Sequence, residues 1–211
     1  MVESKDIDTF CRFIQVSRET ITSLKKFENY LKTANKNLNL VGKTTIDNIW
    51  SRHFLDSAQV IDFIDENDRS IVDIGSGAGF PGIVLAIILK ERKSKVKIRL
   101  IEKSKKKTNF LNEVINKLEL DVTTVNQNVF EENEKILDDV IMARAFKPLE
   151  IILELIHKKA KNYKKTFLFL GKTGNEQLLQ ASKNWDIKYK QRMSITSNDS
   201  KIIEIYKLLK K

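Results

Sequence analysis

The chain has 211 residues, enough for one sizeable core with a modest extension rather than two full domains, and its single cysteine excludes an internal disulfide, a cysteine-rich zinc site and a paired-thiol redox centre. No apolar run approaches the roughly 18 to 20 residues that cross a bilayer, and residues 1–8 lack a signal-peptide pattern, so a cytoplasmic protein without a membrane partner is expected. The formal net charge of +10 suits a polyanionic partner, although the lysines are scattered along a Lys-, Asn- and Ile-rich sequence and do not alone select nucleic acid.

Over residues 4–37, apolar side chains (Ile7, Phe10, Phe13, Ile14, Ile21, Leu24, Phe27, Tyr30, Leu31) recur at spacings of three and four, which predicts a long helical segment. Cys11 within it reads as a small buried apolar residue. A shorter helical stretch over 46–64 follows, and nothing before Ser70 reads as strand. At 71–74 an apolar β-branched run stops at glycines and leads into a helical pattern over 81–91, which is a strand, a tight turn and a helix. The alternation continues with strand 96–102, helix 104–117, strands 122–126 and 139–143, helix 148–159 and strand 166–170. Such βα units predict a mostly parallel sheet covered on both faces, a Rossmann-like, doubly wound α/β fold. A helix over 176–182 and strand-like segments 187–195 and 201–208 close the chain as an edge hairpin. The expected organisation is a helical cap over 1–66 packed on an α/β domain over 67–211 as one compact unit, with a monomer as the default state.

The most informative stretch is Asp73-Ile74-Gly75-Ser76-Gly77-Ala78-Gly79-Phe80-Pro81-Gly82. Glycines let the backbone bend sharply at the carboxyl end of the first strand and approach a ligand that a side chain would exclude. Pro81 suits the first turn of the following helix. Gly77, Gly79 and Gly82 also satisfy the GxGxxG template of a dinucleotide-binding turn, so a nicotinamide-dependent oxidoreductase stays open. The spacing D-x-G-x-G-x-G after the first strand, in a basic chain, favours S-adenosylmethionine instead. Glu102 closes the second strand, where it is placed to accept hydrogen bonds from two ribose hydroxyls; the plainer reading is a solvated carboxylate.

With these residues on hand, the chain resembles the RsmG family, also called glucose-inhibited division protein B, of small-subunit (16S) rRNA guanine-N7 methyltransferases. The resemblance rests on Asn39-Leu40-Val41, Arg52-His53-Phe54-Leu55-Asp56-Ser57, Gly79-Phe80-Pro81-Gly82-Ile83, Lys106-Lys107 before Phe110-Leu111, and Ala143-Arg144-Ala145-Phe146. It implies a class I methyltransferase sheet with an N-terminal helical extension, S-adenosylmethionine as cofactor, and methylation of a guanine N7 in a loop of 16S rRNA, the partner being that RNA, alone or within a small-subunit ribonucleoprotein. By matching positions, Gly75 and Phe80 would line the cofactor site, Val129 and Phe130 would flank the adenine, and Arg144 would sit beside the methyl donor; the glycine turn and strand end add Gly77, Gly79 and Glu102 to the cofactor site. Where the family commonly reads Leu-Lys-Gly at the end of the fifth strand, this chain reads Leu170-Gly171-Lys172, which makes Lys172 the candidate for that lysine's role in RNA binding.

The chemistry agrees with this resemblance. Guanine N7 carries an unprotonated lone pair at neutral pH, so methyl transfer to it needs positioning rather than a general base. The only prolines are Pro81 and Pro148, so the Asn/Asp-Pro-Pro-aromatic tetrapeptide of amino-group methyltransferases is missing. Arg144, just past the fourth strand, could bind the guanine edge or the methionine carboxylate, and its replacement by Ala is expected to abolish transfer with the fold intact. Phe146 offers a face for a splayed-out base. Without the resemblance, a surface arginine and a core phenylalanine are the better readings of the two residues. Lys106 and Lys107, near the start of the helix after Glu102, are candidate phosphate contacts or simply a solvated face. His53 and Asp56, three residues apart, are expected to lock the cap onto the sheet; two side chains are too few for a metal site, and none is expected. His157 is expected to be solvated. A non-catalytic RNA-binding module with a degenerate pocket is the remaining alternative.

Overall fold

The computed structural model describes residues 2–131 and 135–211; Met1 and residues 132–134, which fall within the expected units 1–66 and 67–211, lie outside the described residues. The helix expected over 4–37 is two helices, α1 (Val2–Phe13) and α2 (Arg18–Leu38). Between them Ser17 is extended (φ −74, ψ 168), and its hydroxyl accepts a hydrogen bond from the Thr20 amide at 3.1 Å. A new helix start leaves amides without partners, and serine supplies one, so the apolar period runs on while the backbone breaks. Cys11 is exposed, which corrects the burial expected for it. It sits about 100° round the helix from Phe10, which α1 buries.

The stretch expected over 46–64 is irregular: α3 (Lys43–Ile46), a π-helical turn (Trp50–Leu55), α4 (Asp56–Ala58) and a 3-10 turn (Ile61–Phe63). The widened π turn buries Trp50, His53, Phe54 and Leu55 together, where a narrow apolar stripe would bury fewer. Trp50 Nε1 donates to the buried Glu28 at 2.8 Å, and Lys32 neutralises the same carboxylate from one turn further along α2.

The strands follow the expected alternation: β1 (Ser70–Ile74), α5 (Gly82–Glu91), β2 (Lys97–Ile101), α6 (Lys105–Leu118), β3 (Val122–Val125), β4 (Val140–Arg144), α7 (Leu149–Lys159), β5 (Lys165–Leu170), α8 (Gly174–Ala181), β6 (Trp185–Ser194) and β7 (Ser197–Lys210). They form one seven-stranded sheet in the order β3-β2-β1-β4-β5-β7-β6. The first five pair in parallel, while β7 runs antiparallel to both β5 and β6, so the edge hairpin is present as expected. Every residue from Gly82 to Leu89 is buried, because α5 lies between the sheet and α2 and keeps no water-facing stripe. One apolar cluster accordingly joins cap residues Phe10, Phe27 and Phe54 to Ile71, Ile83 and Leu111 of the α/β part. Strand order reverses between β1 and β4, and in open α/β sheets a crevice opens at the carboxyl ends on either side of such a reversal.

Candidate cofactor crevice

The glycine turn is fastened to the tip of β2 by backbone atoms. The Gly75 and Ser76 amides both donate to the Ile101 carbonyl, at 2.9 and 3.1 Å. The Gly77 amide donates to Glu102 Oε2 at 3.0 Å, and the Ser104 amide donates to Oε1 at 2.7 Å. Glu102 is only 7% exposed, so its carboxylate is held rigidly while each oxygen retains capacity for a further donor. Two glycines here require their freedom. Gly75 has φ +71, and a Cβ on it would lie 2.0 Å from the Phe146 ring; Gly77 has φ +58, and its Cβ would touch only the Gly75 carbonyl oxygen, at 3.8 Å.

Asp73 stands behind the turn. Its Oδ2 accepts from the Gly82 amide at 2.9 Å, which anchors the start of α5. Complete burial pushes this carboxyl up to about 7, with the Gly82 and Ser76 hydrogen bonds and Arg144 opposing the rise. Its other oxygen has no hydrogen-bond partner among the described residues.

The opposite wall is assembled from distant segments. Arg144 Nε donates to Asp56 Oδ2 at 2.8 Å, its NH1 to His53 Nδ1 at 3.3 Å, and its NH2 to the Arg52 carbonyl at 2.7 Å. Since a guanidinium only donates, His53 Nδ1 is the acceptor, and its Nε2–H donates to Thr45 Oγ1 at 3.0 Å. Burial first, then the nearby Arg144 and Arg52, lower the His53 pKa to about 3, which agrees with a neutral ring. That ring stacks on Phe80 at 4.8 Å between centroids. Asp56 Oδ1 meanwhile accepts from Gln59 Nε2 (2.9 Å), Ser194 Oγ (3.1 Å) and Thr196 Oγ1 (3.1 Å). His53 and Asp56 therefore lock the cap to the sheet, and they do so through Arg144. This alters the expectation that Arg144 could be removed with the fold intact: the side chain ties the cap to β4, and through Asp56 to the β6–β7 turn.

Between the walls lies a crevice of about 520 Å³, within the range of small-molecule sites. Of the residues singled out from sequence, His53, Gly75, Gly77, Phe80, Glu102, Lys107, Val129, Phe130, Arg144 and Phe146 line it. Gly79, Lys106 and Lys172 do not. Gly79 faces inward, where a Cβ would strike Ile83 at 2.5 Å and Leu111 at 3.1 Å, while Lys106 and Lys172 are exposed away from the crevice. Leu40, Val41, Asn128 and Lys147 line the crevice without having been assigned a site role from sequence. Asn35 delivers the first two by clasping Val41 through both its amide groups, at 2.9 and 3.2 Å. Phe146 stacks on Phe130 with centroids 5.7 Å apart and planes at 15°. His157 is exposed, as expected, with its ring edge against Trp185. Among the described residues no group of three or more His, Cys, Asp or Glu could hold a metal ion, and no helix is long and apolar enough to cross a membrane.

A crevice bounded by a glycine turn, a fixed strand-tip carboxylate and an apolar slot fits an adenosyl group. Residues 20–206 match the family described as GidB, rRNA small subunit methyltransferase G. The chain belongs to this family. A GidB-family relative named ribosomal RNA small subunit methyltransferase G, from Pelagibacter ubique, is 43% identical over 198 residues, covering 93% of this chain and 92% of the relative. One of the same name from Rickettsia akari is 37% identical over 199 residues, covering 93% and 99%. The fold is that of class I methyltransferases: an O-methyltransferase from Bacillus cereus in complex with SAH superposes with a TM-score of 0.63 at 16% identity, over 98% of this chain and all of that one. M. capricolum TrmK in complex with S-adenosylhomocysteine superposes with a TM-score of 0.51 at 23% identity, over 72% of this chain and 67% of that one.

Proposed function

We propose that this chain transfers a methyl group from S-adenosylmethionine to N7 of a guanine in a loop of 16S rRNA, acting as a cytoplasmic monomer on free or protein-bound RNA. Membership of the GidB family supports rRNA methylation with this cofactor, and the methyltransferase names of the relatives disfavour the nicotinamide-dependent alternative. The observation that carries the reading is Glu102, whose two oxygens are fixed by the Gly77 and Ser104 amides on the wall of the crevice. Fixed acceptors at a strand tip suit the two hydroxyls of a ribose. Buried Val129 and half-exposed Phe130 supply an apolar slot for adenine.

When bound, the cofactor supplies a sulfonium-activated methyl group. The chain's part is to place the acceptor. Arg144 uses three of its five N–H groups on Asp56, His53 and Arg52, and the remaining two suffice for guanine O6 or the methionine carboxylate. Because N7 is nucleophilic without losing a proton, no side chain need act as a base, and the neutral, doubly bonded His53 is not called upon to move one. Phe146 would stack on the target base, while Lys107, with Lys106 and Lys172 further out, would meet RNA phosphates.

The test maps N7-methylguanosine by borohydride and aniline cleavage of small-subunit rRNA from cells with and without this chain, then adds purified protein and tritiated cofactor to the unmethylated RNA. One cleavage site should vanish in the deletion, and label should enter that same guanine. RNA binding without incorporation would instead support a non-catalytic module.

A further inference from the structure

A second crevice, of about 220 Å³, shares Arg144 and Ala145 with the first as a common wall. Arg52, Lys201 and Arg144 bring three positive charges to it, against the single carboxylate of Asp56. That carboxylate is already engaged by four donors, with Arg144 on one oxygen and Gln59, Ser194 and Thr196 on the other. Lys201 is only 7% exposed, yet its ammonium donates to a neutral partner, Asn175 Oδ1, and forms no ion pair among the described residues. The Arg52 guanidinium makes no hydrogen bond or ion pair with any described residue, although its backbone carbonyl accepts from Arg144. For Lys201, a buried positive charge without an acid partner is costly unless an anion completes it, while Arg52 is exposed and so open to a ligand. Ser200, next to Lys201 in sequence, lines the same crevice.

We propose that this crevice binds a phosphodiester of the RNA substrate, next to the nucleotide held at the cofactor crevice, with Arg52 as its free donor. The inference rests on the rRNA reading above. A phosphate matches the local excess of positive charge and the fork of an unpaired guanidinium, and a neighbouring site sharing the Arg144 wall would set the target base in register. The competing source of an anion is the methionine carboxylate of the cofactor, and the measurements separate the two.

Binding of a 16S rRNA transcript is measured over a series of salt concentrations for the full chain and for Arg52→Ala, Arg52→Lys and Ser200→Asp, alongside calorimetric titration with S-adenosylhomocysteine. Arg52→Ala keeps the carbonyl that Arg144 uses. It should make the dependence of log K on log salt shallower by about 0.7 to 1 and raise KM for RNA several-fold, with S-adenosylhomocysteine affinity unchanged. Arg52→Lys should restore the slope, and Ser200→Asp should weaken RNA binding by repulsion. An unchanged slope in Arg52→Ala with normal binding by the unaltered chain overturns the phosphate site alone. A fall in S-adenosylhomocysteine affinity assigns the crevice to the methionine carboxylate and also overturns it. Failure of the unaltered chain to bind the transcript overturns the rRNA reading and this proposal with it.

Discussion

The two walls of the cofactor crevice are built by opposite means. On the glycine side, the Gly77 and Ser104 amides close on one carboxylate, and the bonded residues are 25 and 2 positions apart. On the Arg144 side, a guanidinium reaches side chains 88 and 91 positions away, and Asp56 extends the network to Ser194 and Thr196, 138 and 140 positions away. The first wall needs only the turn and the tip of the neighbouring strand β2. The second exists only when cap, β4 and hairpin have docked together, so it should fail as a unit, and damage to it should register as lost stability as well as lost chemistry.

The largest effect should come from breaking the Arg144 network. Arg144→Ala and Asp56→Ala should each lower unfolding free energy by about 3 kcal/mol, since each strands a largely buried charge. In urea titrations the double substitution should cost clearly less than the sum, by more than about 1 kcal/mol. Simple additivity would show that the parts do not act together.

The next effect is one of pH. The His53 pKa falls from 6.5 to about 3 on folding, so the unfolded chain binds the extra proton and the stability from the neutral ring, on the order of a few kcal/mol, is present above pH 6.5 and lost progressively towards pH 3. Asp73, raised from 3.8 to about 7, works the other way: the folded chain holds the proton, and its contribution declines as pH rises through that interval. In His53→Gln the acid-side decline in urea midpoint should flatten; a profile identical to that of the unaltered chain would contradict a buried neutral ring.

The glycine wall should respond differently. Gly77→Val places a β-branched side chain at φ +58, costing roughly 1–3 kcal/mol, and projects it into the crevice. Calorimetry should show S-adenosylhomocysteine binding weakened at least tenfold. A variant that binds normally would mean that the backbone does not approach the ligand there.

The smallest effect concerns the lysines on α6. Lys107 lines the crevice and Lys106 does not, so Lys107→Ala should flatten the salt dependence of RNA binding by up to about 0.7, and Lys106→Ala by less. Equal slopes for both variants would point to a diffuse field rather than a contact.

Much of this protein was readable in one dimension. The β-branched run ending at Gly75, the helical period over 81–91 and the Glu102 strand end are local patterns, and β1, α5 and β2 stand within a residue or two of where those patterns put them. Turn chemistry and side-chain period act between neighbours, which is why they survive in the sequence alone. The break at Ser17 was missed because apolar spacing continues across it, and the exposure of Cys11 because composition says nothing of which way a helix faces. Folding alone decided that Gly79 packs inward, that Phe146 lies over Gly75, and that His53, Asp56 and Arg144, each recognisable separately, become one clamp reaching Ser194 and Thr196. Contacts across 88 or more positions depend on how whole elements dock, and no short-range pattern of residues records that.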